Sequence, residues 1–203
     1  MSHRPVLLYG AVQRYALVEI QILYFYVLYR YFNEGGPGLK ALFSTLKQSV
    51  NDQADAHTLL ASQVLFWLLR APDGHAKNFS IQILPRGRFQ LTRLYDVMSA
   101  YPVLGDGPSQ WPPFDVKLAM ALLNRNRQYV MHEILRRHFN STAQKVGYGD
   151  SAESIIEDLL ARTPAVIAEV QGSLPAGFSM RVAETILGGL EQAAKALEDM
   201  PAT

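Results

Sequence analysis

Asp73-GHAKNFSIQILPRGRFQLTRLY-Asp96 has an acid at either end, an amide five residues after the first acid, and two β-prone runs between them. Phe79, Ile81 and Ile83 alternate with smaller or polar residues, which predicts a strand over residues 79–84. Pro85 to Arg88 reads as a turn, and residues 89–94 as the returning strand. A hairpin brings the chain back to where it started, so Asn78 and Asp96, eighteen positions apart, become neighbours in space. Phosphoryl transfer needs such a set: a carboxylate to accept the proton of an attacking hydroxyl, with an amide and a second carboxylate to hold the metal that bridges ATP phosphates. Asp73 is the candidate base, and Asn78 and Asp96 are the candidate ligands. Their hard oxygens suit Mg2+. Lys77, beside Asn78, can offset the charge of the transferring phosphate. His75 joins Asn78 in contacting the nucleotide, or instead orients the loop by hydrogen bonding.

Each of these residues has an ordinary explanation when taken singly. Asp73-Gly74 makes a turn, Asn78 caps a strand entry, and Asp96 caps a helix. Together, those explanations do not account for three metal- and proton-competent groups placed around one hairpin. A zinc site from Asp73, His75 and Asp96 would have a single imidazole, a poor match to the usual zinc ligand sets.

Outward from the hairpin, the pattern is helical. Leu39, Leu42, Phe43 and Leu46 recur at helical spacing, and a longer helix is predicted over residues 53–70, apolar on more than one face and stopped by Pro72. Trp67 in it reads as core. Beyond Val116, helices are predicted over 116–123, 129–139, 141–147, 151–171 with a break near Thr163-Pro164, and 180–198. Arg125, Arg127, Arg136 and Arg137 read as a solvated basic helix face. The fold class is therefore mainly α with a small β-hairpin. Trp111-Pro112-Pro113-Phe114 falls in a loop after the second acid, stiffened by its prolines.

Length and composition fit one domain or one large lobe: 203 residues, 49% hydrophobic, net charge +1 and no cysteine. No global field draws the chain to nucleic acid or membrane, and the lack of thiols fits a cytoplasmic location. Residues 1–32 are a divergent apolar, Tyr-rich segment, set off from residues 33–198 by the break at Gly35-Gly36-Pro37-Gly38, with 199–203 as a tail. Tyr15 to Phe32 is readable as a helix or as a pair of strands. Its longest uncharged apolar run, Ile22 to Tyr29, is well short of the ~20 residues of a spanning helix.

Asp73 to Ser80, the run Leu94-Tyr95-Asp96-Val97-Met98-Ser99-Ala100 and the Gly35–Gly38 break resemble the C-terminal lobe of HipA-family kinases, the serine/threonine kinase toxins of bacterial toxin–antitoxin pairs. The resemblance extends from about Tyr31 to Lys195, through Lys117 to Met120, Asn124 to Tyr129, Glu133 to Phe139 and Leu174 to Leu190. Asn124 to Arg127 departs from the family pattern, which has glycines there. The resemblance implies a kinase-like fold, ATP with Mg2+, phosphorylation of protein Ser or Thr, a HipB-like antitoxin partner, and contact with nucleic acid only through that antitoxin. It places Asp73 at the catalytic base and Asn78 and Asp96 at the metal. A glycine-rich loop and a strand lysine over the phosphates are also expected of such an enzyme. Gly35 to Lys40 does not supply them: Pro37 removes an amide donor, and the spacing misses the phosphate-loop pattern. The N-terminal lobe is thus expected to be missing or supplied by a separate protein, and an inactive lobe that only binds a partner is the alternative.

Overall fold

A computed structural model describes residues 19–21 and 38–202 of the chain. The expectations for residues 1–32, apart from 19–21, and for the glycine break before Gly38 lie outside the described residues.

Helix α1 (Leu39–Leu46) buries Leu39, Leu42, Phe43 and Leu46, the residues whose spacing predicted it. Helix α2 (Asp52–Leu68) follows, with Leu59, Leu60, Val64, Phe66, Trp67 and Leu68 buried on several faces. Trp67 is core: its indole N–H donates to the Met131 carbonyl at 2.8 Å, and its ring meets Phe139 edge-on. Such a pair satisfies the one polar atom of a buried indole.

The predicted hairpin is β2 (Ser80–Ile83) and β3 (Phe89–Leu91), antiparallel, with Ile81 opposite Leu91 and Ile83 opposite Phe89. At its turn, Arg86 and Gly87 both have positive φ. β1 (Glu19–Gln21) adds a third strand on the other side of β2. Asp55, buried in α2, ties the hairpin to the helix by accepting the Leu91 N–H at 2.7 Å and the Ser49 hydroxyl. Hydrogen bonds to a charged acceptor are stronger than neutral ones, so this tether holds β3 in place.

A second hairpin corrects the expectation for residues 116–123 and 129–139. β4 (Lys117–Leu123) pairs antiparallel with β5 (Arg127–Val130), turning at Asn124 to Asn126. Leu118 to Leu122 are all buried. A short, continuously apolar run carries no period to separate a buried strand from a buried helix, and Ala, Met and Leu favour helix intrinsically. Burial on both faces decided the outcome. The main α character stands: α3 (Arg136–Val146), α4 (Glu153–Ser173) and α5 (Met180–Glu198) complete the chain. α3 is one helix where two were expected, ending at Gly147 with φ 72. Its first turn is capped by His138, whose Nδ1 accepts the Leu135 N–H at 3.1 Å. Burial and the Arg137 charge push His138 below its ordinary pKa, which keeps that acceptor free of a proton.

α4 runs unbroken through Pro164. The missing N–H costs one bond, to Leu160, a half-buried residue lining an open cleft between α4 and α5. No helix among the described residues is long and apolar enough to cross a membrane.

Arg136 is not on a solvated basic face. It is buried and joined through two guanidinium nitrogens to Glu153, which also accepts from Asn140. Arg125, Arg127 and Arg137 are exposed as expected, but Arg125 lies in the β4–β5 turn and Arg127 begins β5 rather than sharing a helix face. Burial raises Glu153, but bonds from Arg136 and Asn140 and the guanidinium charge outweigh it and hold the carboxyl below its ordinary value. Its stabilising effect is therefore present above the unfolded-state pKa of about 4.3 and disappears as pH falls through the depressed folded value. In urea titrations, Glu153→Gln is expected to be less stable than the parent by about 2 kcal/mol at pH 7. The gap should close as pH drops below about 4. A gap that stayed constant to pH 3 would mean the carboxylate charge contributes nothing.

Candidate functional site

The site starts at the end of α2. Ala71 N–H reaches Phe66 O at 2.8 Å and Arg70 N–H reaches Trp67 O at 3.2 Å, the paired bonds of a Schellman stop. Arg70 takes the left-handed position at φ 50, where glycine is usual, and its guanidinium lies 5.4 Å from the Trp67 ring centroid. The next carbonyls are claimed from elsewhere in the chain. Tyr101 Oη donates to Leu68 O at 3.0 Å, Ser99 Oγ to Leu69 O at 2.7 Å, and Ala100 N–H to Arg70 O at 3.0 Å. Burial pushes the Tyr101 phenol above its ordinary pKa, more than the Arg70 charge and hydrogen bond lower it, so it remains a donor.

This clasp brings the segment after Asp96 against the segment before Asp73. Between them, Ala76–Asn78 forms a single 3-10 turn that delivers Asn78 to the base of β2. Asn78 is buried, and its Nδ2 donates to Asp96 Oδ2 at 3.1 Å. That bond fixes the amide orientation and leaves Oδ1 as the free acceptor. Oδ1 is buried without a hydrogen-bond partner. Asp96 itself has φ 55, a left-handed backbone that Asp tolerates better than most residues.

Of the sequence-predicted residues, Asn78 and Asp96 are thus in contact. His75 Nε2 lies 3.6 Å from Asp73 Oδ1, with the imidazole side chain 9% and the Asp73 side chain 32% exposed. Lys77 is half-buried, and its backbone carbonyl accepts the Tyr95 hydroxyl. An uncommitted amide oxygen beside a carboxylate is a hard-oxygen pair of the kind Mg2+ takes, so the residues fit that ion. Among the described residues no three His, Cys, Asp or Glu side chains cluster as a zinc site would require.

The supporting residues Tyr95, Ser99 and Tyr101 were not singled out by sequence. Tyr95 and Ser99 stand inside a quoted motif, but no local signal says that they bond to a helix end or a turn thirty or fewer residues upstream. Trp111 and Phe114 are exposed rather than packed, at 39% and 68%; Phe114 stands edge-on to His132.

These features define the class: a mainly α lobe with a small β-hairpin, carrying an acid and an amide in contact at the hairpin's base. The family follows from the chain itself. A family model described as the HipA-like C-terminal domain matches residues 13–167, well over half of the chain, and the chain belongs to that family. It is similar in fold to HipA of Shewanella oneidensis MR-1, solved in a toxin–antitoxin complex with HipB and operator DNA. The TM-score is 0.66 and the identity 22%, over 81% of this chain and 37% of that one. This chain therefore spans well under half the length of that HipA.

Gly74 is the tightest point of the acid-bearing loop. A Cβ there would lie 2.3 Å from two carbons of the Phe66 ring, which is itself buried and edge-on to Phe79. Gly74→Ala is expected to destabilise the chain by about 1–3 kcal/mol in urea titrations. Combined with Phe66→Leu it should cost less than the sum of the two single changes. Additive costs would show that the contact is not tight.

Proposed function

We propose that this chain is the catalytic lobe of a HipA-like serine/threonine protein kinase that moves the γ-phosphoryl group of ATP to a protein hydroxyl. The Asn78–Asp96 contact carries the reading: 3.1 Å between the two groups, with an amide oxygen buried beside them and no partner for it. In the transfer, the substrate oxygen bonds to the γ-phosphorus as the bond from phosphorus to the ADP oxygen breaks, and Asp73 takes the hydroxyl proton. Asn78 and Asp96 would hold Mg2+, which supplies charge neutralisation at the phosphates when bound. Lys77 offsets charge near the transferring group. The approach of His75 to Asp73 at 3.6 Å supports an orienting role for the imidazole over direct nucleotide contact.

Membership of the family supports a HipB-like antitoxin as partner, with nucleic acid contacted only through it, in the cytoplasm. A separate polypeptide bearing an N-terminal lobe would complete the phosphate lid. One observation favours a second reading for these residues by themselves: the sequence contains no glycine-rich phosphate loop. In that reading the lobe binds a partner and transfers nothing.

Mg2+-dependent ATP binding and phosphate transfer, measured for the chain and for Asp73→Asn and Asp96→Asn, test both. Asp73→Asn should retain binding and lose transfer by about 10²–10⁴-fold. Asp96→Asn should lose the Mg2+-dependent part of binding. Binding without transfer in all three proteins would establish the second reading, and no binding at millimolar ATP would overturn the catalytic one.

A further inference from the structure

The Tyr95 hydroxyl bonds to the segment that carries Asn78, while its own backbone carries Asp96, so it joins the two segments of the site. Its phenol oxygen lies 2.9 Å from the Lys77 carbonyl, to which it donates, and 2.7 Å from Ser80 Oγ. A phenol has one proton. With that proton on the carbonyl, Ser80 must be the donor in the second bond. Lys77 precedes Asn78 by one residue and Ser80 follows it by two, so a single hydroxyl grips the backbone before Asn78 and the side chain after it. Past the end of β3, Tyr95 is joined through its peptide bond to Asp96, which has a left-handed φ of 55. The Asn78 Nδ2–Asp96 Oδ2 bond closes the same ring of contacts at 3.1 Å.

We propose that Tyr95 is a positioning residue that sets the spacing between Asn78 Oδ1 and the Asp96 carboxylate for a divalent cation. The inference rests on the phosphoryl-transfer reading of those two residues, and it assigns Tyr95 no part in proton or phosphate transfer. A purely structural role is separable from it. Tyr95 is 39% exposed, so Tyr95→Phe removes a hydroxyl without opening a core cavity. What it removes is the link that keeps the two ligand-bearing segments in register. Groups that orient metal ligands from outside typically affect affinity by 10–100-fold when lost.

The test uses Mn2+ alone as probe, with binding to the full chain followed by electron paramagnetic resonance. Wild type, Tyr95→Phe, Ser80→Ala, Asp96→Asn and the Tyr95→Phe/Asp96→Asn double variant are compared, and thermal midpoints are measured alongside. Tyr95→Phe is expected to weaken Mn2+ by about tenfold, beyond what any fall in its thermal midpoint accounts for. Ser80→Ala should weaken it less, because the Tyr95–Lys77 bond survives. The double variant should bind no worse than Asp96→Asn, since Tyr95 acts through that ligand. Wild-type affinity in Tyr95→Phe overturns the inference while leaving the phosphoryl-transfer reading intact. Equal binding by wild type and Asp96→Asn overturns that reading, and the inference with it. Should Tyr95→Phe fail to fold, Ser80→Ala decides: weakened Mn2+ supports the positioning role and unchanged Mn2+ overturns it.

Discussion

The last carbonyls of an α-helix have no donor within the helix, and at the end of α2 those of Leu68, Leu69 and Arg70 need partners from elsewhere. Leaving a buried carbonyl unmet costs about 1–3 kcal/mol, so something must meet them. Tyr101, Ser99 and Ala100 do so, donating to Leu68, Leu69 and Arg70 respectively. Because Asp73 begins three residues past one side of this clasp and Asp96 ends three residues before the other, satisfying the helix end also fixes both approaches to the site. The hairpin between them has little freedom left. Asp55 holds its returning strand to the first turn of the same helix, so α2 grips the excursion from Asp73 to Asp96 at both of its ends.

Two of the three described non-glycine residues with positive φ lie where this frame closes; the third, Arg86, is at the hairpin turn. Arg70 and Asp96 both have positive φ without being glycine, at 50° and 55°. Backbone of that kind costs of order 1–3 kcal/mol per residue and persists only where surrounding contacts over-determine it. Arg70 is held by its Schellman bonds and by Trp67; Asp96 is held by Asn78 through its own side chain and by Tyr95 through the neighbouring residue. The second case is the more telling one. A left-handed Asp at a turn is unremarkable in a solvated loop, but here it aims a carboxylate at a buried amide.

What the sequence made legible follows from which signals are local. Leu39, Leu42, Phe43 and Leu46 repeat at 3.6-residue spacing, and the helix appeared where that spacing put it. Phe79, Ile81 and Ile83 alternate, and a strand appeared. The Asn78–Asp96 contact was legible because a hairpin is the shortest way to bring two such residues together. Lys117 to Leu123 was not, since a run that is apolar at every position has no period, and only burial against α3 and the core made it a strand. Pro164 misled for a related reason. Pro164 is exposed, and α4 is anchored to the core before it by Ile155 and Ile156. Arg136 looked like one of four surface cations, and only the fold reveals that Glu153 lies opposite it. Tyr95, Ser99 and Tyr101 matter through partners 15 to 33 positions away, which no spacing rule encodes.

The unmet Asn78 oxygen connects these levels. A neutral acceptor buried with no donor is a net destabilising element in the free chain. Replacing the amide by an apolar side chain of similar size would remove that cost at this buried position. The chain instead keeps the amide, orients it by a bond to Asp96, and surrounds it with a hydrogen-bonded frame that prevents it from turning toward another partner. On the phosphoryl-transfer reading proposed above, a buried amide oxygen without a hydrogen-bond partner beside a carboxylate would be preorganised for a cation, because the ordering of the ligands would be completed during folding rather than at binding. The stability that such a centre gives up must come from elsewhere in the lobe. The rest of the helical half provides it, where the packed faces of α3 to α5 and the part-buried Arg136–Glu153 pair lie away from Arg70 and Asp96.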